Sequence, residues 1–212
     1  MIYVVYPDDP STTFLKEIIT ELQSASVDIF VINVGASDDS YEQAYKEVDN
    51  ISESSFIIFM GHGTDDELLG GESLDFKRKP FIKRNEMRIF REKSLILLSC
   101  NSEGLIKSSR RIAGFSDTLS FGALPTSVEE VENDSKLKKL GITEDIISEY
   151  KELLVHFMVE SVLYAWQKGS SLELVYNYLR LCINRKISEL VLCDKRVLAN
   201  LLFQMKQEMV YC

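Results

Sequence analysis

Apolar residues follow two patterns along this chain, and the change comes near residue 143. The first pattern consists of short dense runs at 2–6, 27–34, 56–60 and 95–98. β-Branched and aromatic residues dominate the first three, the fourth is apolar throughout, and each predicts a strand. The third and fourth runs are apolar at every position, which predicts burial on both faces in the middle of a helix-covered sheet. Between the runs, Ser11-Thr12-Thr13 supplies a cap ahead of Phe14, Ile18, Ile19 and Leu22 at helical spacing. Residues 38–48, 85–93 and 103–111 predict further helices, 70–80 a loop or hairpin, and 118–123 a fifth strand. Strand–helix alternation predicts an α/β fold, a three-layer sandwich with a mostly parallel central sheet.

The second pattern is purely helical. Its segments are 144–168, 172 to about 189, and 194–208. Lys168-Gly169-Ser170-Ser171 separates the first two, since glycine ends helices and serine caps new ones. No linker-like stretch sets these helices apart. The expectation is one domain, with an α/β core over 1–142 and C-terminal helices over 143–212 packed on it.

In a parallel sheet, ligands bind beyond the carboxyl ends of the strands. The run 56–60 passes directly into Gly61-His62-Gly63-Thr64, and 95–98 into Ser99-Cys100-Asn101-Ser102. Successive strands are often neighbours. If these two are, His62 and Cys100 meet on one edge. A cysteine is a nucleophile as thiolate, and an imidazole can take its proton and return it to a leaving amine. A helix beginning just after Cys100 would favour the thiolate. The N–H groups of Gly63 and Cys100 would supply two donors for an oxyanion.

Charge alters the picture in two ways. With 24 basic against 33 acidic residues the formal charge is −9, which argues against nucleic acid as a direct partner. One basic stretch runs against this balance: Lys77, Arg78, Lys79, Lys83, Arg84, Arg88, Arg91 and Lys93. It reads either as a solvated surface or as a docking surface for an acidic partner or substrate. The four cysteines match no zinc or Cys-x-x-Cys spacing. Residues 1–6 read as a strand, not a signal peptide, and no run reaches a membrane span, so a reducing cytoplasm and free thiols are expected. His156, Cys182 and Cys193 fall in helical segments and read as structural, and Trp166 as packing between helices.

The ordered set of motifs resembles a known family. Phe56-Ile57-Ile58-Phe59-Met60-Gly61-His62-Gly63 resembles the strand-then-His-Gly motif of caspase-fold cysteine peptidases. Leu95-Ile96-Leu97-Leu98-Ser99-Cys100-Asn101-Ser102-Glu103-Gly104 is similar to the matching strand-then-Cys motif, above all in the CHAT branch of bacteria. Phe121-Gly122-Ala123 resembles a Gly-Ala turn downstream, and the helix–Gly–Ser–helix passage from Phe157 through Leu179 resembles the ending of that branch.

The resemblance implies a caspase-like sandwich and a cysteine endopeptidase acting through a His62–Cys100 dyad, without metal or organic cofactor. It implies a protein substrate, a regulatory or activating protein partner, and a role as a regulated bacterial effector in stress or antiviral (phage) defence. In related peptidases the position two before the cysteine lines the P1 pocket. Here that position is Leu98, which does not suit a charged P1 side chain. Asp65, with Asp66 and Glu67, and Asp117 are candidates for attracting a basic substrate. The alternative is a catalytically inactive caspase-fold scaffold or a signalling module that binds a partner protein.

Overall fold

The apolar runs lie side by side as parallel strands. The computed structural model describes residues 1–135 and 137–212. Five strands, β1 (Ile2–Pro7), β2 (Ile29–Val34), β3 (Phe56–Met60), β6 (Ser94–Leu98) and β7 (Asp117–Ser120), run parallel in one sheet. A short strand β8 (Val210–Tyr211) joins antiparallel to β7, and the sheet order is β2-β1-β3-β6-β7-β8. A separate antiparallel pair, β4 (Glu67–Leu69) and β5 (Pro80–Lys83), forms the expected hairpin.

The chain divides into two compact units. One comprises Met1–Ala123 with Met209–Cys212, the other Leu124–Glu208. The change of character thus falls at 123/124, ahead of the expected boundary at 142, and the last four residues return to the sheet. The sequence pattern places neither feature, because a two-residue strand carries no period. The short helix α4 (Val128–Asn133) and the 3-10 turn Leu137–Leu140 belong with the helical unit, whose main helices are α5 (Glu144–Lys168), α6 (Leu172–Leu192) and α7 (Arg196–Glu208). No helix among the described residues is long and apolar enough to cross a membrane.

Within the first unit the sheet is covered on both faces. Val5, Ile57, Phe59, Leu95 and Leu97 share one face, packed with Ala44 and Val48 of α2 (Asp38–Asp49), Met87 and Phe90 of the 3-10 turn Arg84–Phe90, and Leu105 and Ile106 of α3 (Ser102–Ala113). On the other face Tyr6 donates its hydroxyl to Thr12 O at 3.3 Å, and Lys16 of α1 (Lys16–Ser24) sits 5.4 Å from its ring. The 3-10 turn Pro10–Leu15 and α1 therefore lie over that face. This is a three-layer α/β arrangement. Ile57, Ile58, Phe59 and Met60 are fully buried, each contributing about 1.5–3 kcal/mol of apolar burial.

The expected helix at 85–93 is instead the 3-10 turn Arg84–Phe90, ended by Arg91 in an extended conformation. Loop 70–79 is drawn tightly onto the ends of β1 and β2. A Cβ added to Gly71 would lie 2.3 Å from Val34 O and 2.9 Å from Asp8 O, both backbone atoms that cannot move aside. Gly71→Ala is therefore expected to cost about 1–3 kcal/mol, read as a lower urea midpoint at unchanged slope.

Candidate active site

The site lies at the carboxyl ends of three adjacent strands. β1, central between β2 and β3, is where the strand order reverses, the place where open α/β sheets bind ligands. β1 leads into Asp9 and Ser11, β3 into His62, and β6 into Cys100. Met60 pairs with Leu98, and Gly61 N donates to Leu98 O at 3.2 Å, so the two chains leave the sheet in step. Both strands end at this rung, with His62 two residues beyond β3 and Cys100 two residues beyond β6. The loops stay close beyond it, since a Cβ on Gly63 would meet Ser99 Oγ at 2.9 Å and Cys100 O at 3.2 Å. A side chain at this position would require Ser99 and Cys100 to give way.

A hydrogen-bonded chain holds the imidazole. Asp9 caps the 3-10 turn Pro10–Leu15, with a proline opening it. Its Oδ1 accepts from Ser11 N at 2.9 Å and from Ser11 Oγ at 2.6 Å. Ser11 Oγ also lies 2.6 Å from His62 Nε2, while Asp9 Oδ1 is 3.7 Å from that nitrogen. Ser11 is thus the bridge. An ionised carboxylate only accepts, so the single Ser11 proton goes to Asp9, and Nε2–H must then donate to Ser11. In the neutral ring this leaves the lone pair on Nδ1.

Asp9 is 2% exposed and His62 8%. Burial by itself would raise the Asp9 pKa. The His62 imidazole facing it, and the Ser11 hydroxyl and amide, outweigh that and hold the carboxyl well below its usual range. Arg78, from the β4–β5 loop, adds NH1 at 3.3 Å from Asp9 Oδ2 and NH2 at 3.3 Å from Glu72 Oε2. The contact to Asp9 is ionic, its angles falling outside those of a hydrogen bond.

The turn carrying Cys100 is fastened to the next strand. Ser102 Oγ lies 2.9 Å from the carbonyls of Leu97 and Ser99 and accepts from Phe121 N at 3.0 Å. Asn101 N donates to Gly122 O at 2.9 Å. Asn101 adopts the left-handed conformation, φ 54°, which asparagine tolerates better than most residues. α3 starts immediately afterwards, so Cys100 stands two residues before its amino end, partly exposed.

Gly63 is positioned as a donor. It faces Leu68 in an isolated antiparallel bridge whose hydrogen bonds are Thr64 N to Glu67 O and Leu69 N to His62 O. In such a bridge the Gly63 N–H takes no part. Ser99 Oγ, buried beside it, has no hydrogen-bond partner among the described residues.

Other expected site residues fall elsewhere. Asp117 opens β7 and pairs with Ser94, the first residue of β6, so it stands at the amino edge of the sheet. Six residues of strand separate that level from Cys100, about 20 Å, and Asp117 is removed from the site. Leu98 is 1% exposed and offers no wall to a substrate in this conformation. Asp65 and Asp66 are exposed on the loop after His62. Asp66 pairs with Arg84 at 3.0 Å, and the Asp65 carboxylate occupies the space over Gly104 in the first turn of α3, where an added Cβ would meet it at 2.1 Å.

Asp9, Ser11 and Arg78 were missed as site residues. In the sequence they read as a strand stop, a helix cap and part of a basic run. The Asp-Pro-Ser step straight after an apolar strand was the available signal.

All four cysteines are free thiols. In the helical unit burial, with Glu160 beside it, pushes the Cys182 thiol up to about 11, and His156 lies on the exposed face 3.6 Å from Glu160. No group of three or more His, Cys, Asp or Glu able to hold a metal occurs among the described residues.

Comparison with models of protein families, with curated proteins and with solved structures gives no match in any of the three.

Two outcomes follow from the Asp9 network. Because folding lowers the Asp9 pKa, its contribution to stability is full above the unfolded value near 3.9 and is lost as pH falls through the folded one. Asp9→Asn is expected to cost about 1–3 kcal/mol at pH 7 and to flatten the acid limb of a urea-midpoint series taken from pH 7 to 3. Histidine nitrogen NMR should show the Nε2–H tautomer of neutral His62 in the wild type, and a mixture of tautomers in Ser11→Ala.

Proposed function

We propose that the protein is a caspase-like cysteine endopeptidase with Cys100 as nucleophile and His62 as general base and acid. The observation that supports it most is that β1, β3 and β6 end side by side, β1 and β3 leading into the Asp9–Ser11–His62 chain and β6 into Cys100. The absence of family and structural matches leaves this reading on geometry and on the motif resemblance.

On this reading His62 Nδ1 takes the thiol proton and the Cys100 sulfur attacks the substrate carbonyl carbon. The oxygen gathers negative charge against the N–H groups of Gly63 and Cys100, pre-aimed donors of the kind that lower such barriers most. The imidazolium then gives its proton to the departing amine, and the C–N bond breaks to leave a thioester on Cys100. Water, deprotonated by the same nitrogen, releases the acid and restores the thiol. Asp9, through Ser11, steadies the imidazolium without becoming protonated, and acts as a positioning residue. Neither a metal nor an organic cofactor enters these steps.

The substrate is a protein segment, and with Leu98 enclosed, that position is not expected to select a charged P1 residue.

A peptide library incubated with the protein should give cleavage that Cys100→Ala abolishes. His62→Ala should slow it by roughly 10²–10⁴-fold, the size of a general acid–base contribution. A thiol-reactive peptide probe should label the wild type at one site and spare Cys100→Ala. Equal labelling of the two would overturn the nucleophile assignment.

A further inference from the structure

At the amino edge of the same sheet lies a second feature, which the peptidase chemistry does not use. The end of α2, the turn after Phe90 and the end of α3 enclose a groove of about 690 Å³. Three guanidinium groups, Arg88, Arg91 and Arg111, line it, against one carboxylate, Asp49. All three arginines are exposed. Among the described residues no carboxylate is paired with Arg88 or Arg111, and Arg91 has only a surface contact to its neighbour Glu92 at 3.4 Å. Such a pair holds a guanidinium weakly.

The floor is apolar. Ile89 and Ala113 are buried beneath, and Ile112 stands 55% exposed at the side. An exposed isoleucine beside unpaired arginines is an arrangement that a protein of net charge −9 has no solubility reason to keep.

We propose that this groove docks an acidic peptide segment of another protein, with carboxylates on the arginine rim and an apolar side chain against Ile112. Guanidinium groups bind carboxylates in a two-pronged manner, and arginine with apolar contact makes a strong anchor. The charge distribution favours a peptide over a nucleic acid. The charge is confined to one groove, and the surrounding −9 chain would repel an extended polyanion. The groove and Cys100 lie at opposite ends of the strands, roughly 15–20 Å apart along the sheet. A segment held here would tether its protein without occupying the site at His62.

The test is direct binding, so it reads independently of any peptidase activity. The probe is a fluorescein-labelled ten-residue peptide alternating Glu-Glu with Leu, followed by anisotropy in low salt. Saturable binding is expected, weakening steeply with added salt and lost when glutamines replace the glutamates. The double variant Arg88→Glu, Arg111→Glu should bind at least tenfold more weakly, while Lys83→Glu, outside the groove, should bind as the wild type does. Both substitutions are of exposed residues, and circular dichroism checks that the variants remain folded. Absence of saturable binding, equal binding by the double variant, or tighter binding of a single-stranded oligonucleotide of equal charge would each overturn the proposal.

Discussion

The in-step pairing of β3 with β6 is the constraint on which the candidate site depends. Each strand buries both faces, so its side chains cannot be exchanged between faces without exposing a row of isoleucine, leucine or phenylalanine. That penalty fixes Met60 against Leu98. With the last rung fixed, the chain two residues on has little freedom, and Gly63 is pressed against Ser99 and Cys100. The placement of His62 and Cys100 at one edge of the sheet is thus set by apolar packing several residues earlier.

The same residue types occur together in the helical unit with a different outcome. His156, Glu160 and Cys182 sit across neighbouring turns of α5 and α6. There the thiol faces a carboxylate, which works against a thiolate, and the imidazole lies on the exposed face of a helix. At the sheet edge the carboxylate faces the imidazole through Ser11, where negative charge steadies a protonated ring. Residue identity supplies the groups, and the order in which they stand decides what they can do.

Much of this was legible in the sequence, for a physical reason. Runs such as 56–60 and 95–98 are apolar throughout because they are central, and helices with strong caps, such as Asp38–Asp49, begin where a serine or aspartate announces them. His62 and Cys100 were visible because they follow such strands directly. Asp9, Ser11 and Arg78 were not, because their role depends on β1 lying next to β3 and on the β4–β5 loop folding back, and neither is written in a local pattern. Asp117 falls away from the site because β7 runs parallel to β6, so the start of that strand stands at the amino edge, opposite the end that carries Cys100.

The return of the chain as β8 closes the outer edge of the sheet with residues from far along the sequence. Ser120 and Val210, paired in the sheet, are 90 residues apart in sequence. Closing so long a flexible loop is entropically costly. The helical unit offsets part of this cost, since Leu137–Leu140 near its start packs against α7 at its finish. Were β8 to leave the sheet, the bared backbone of β7 would become an open edge to which another molecule's strand can add.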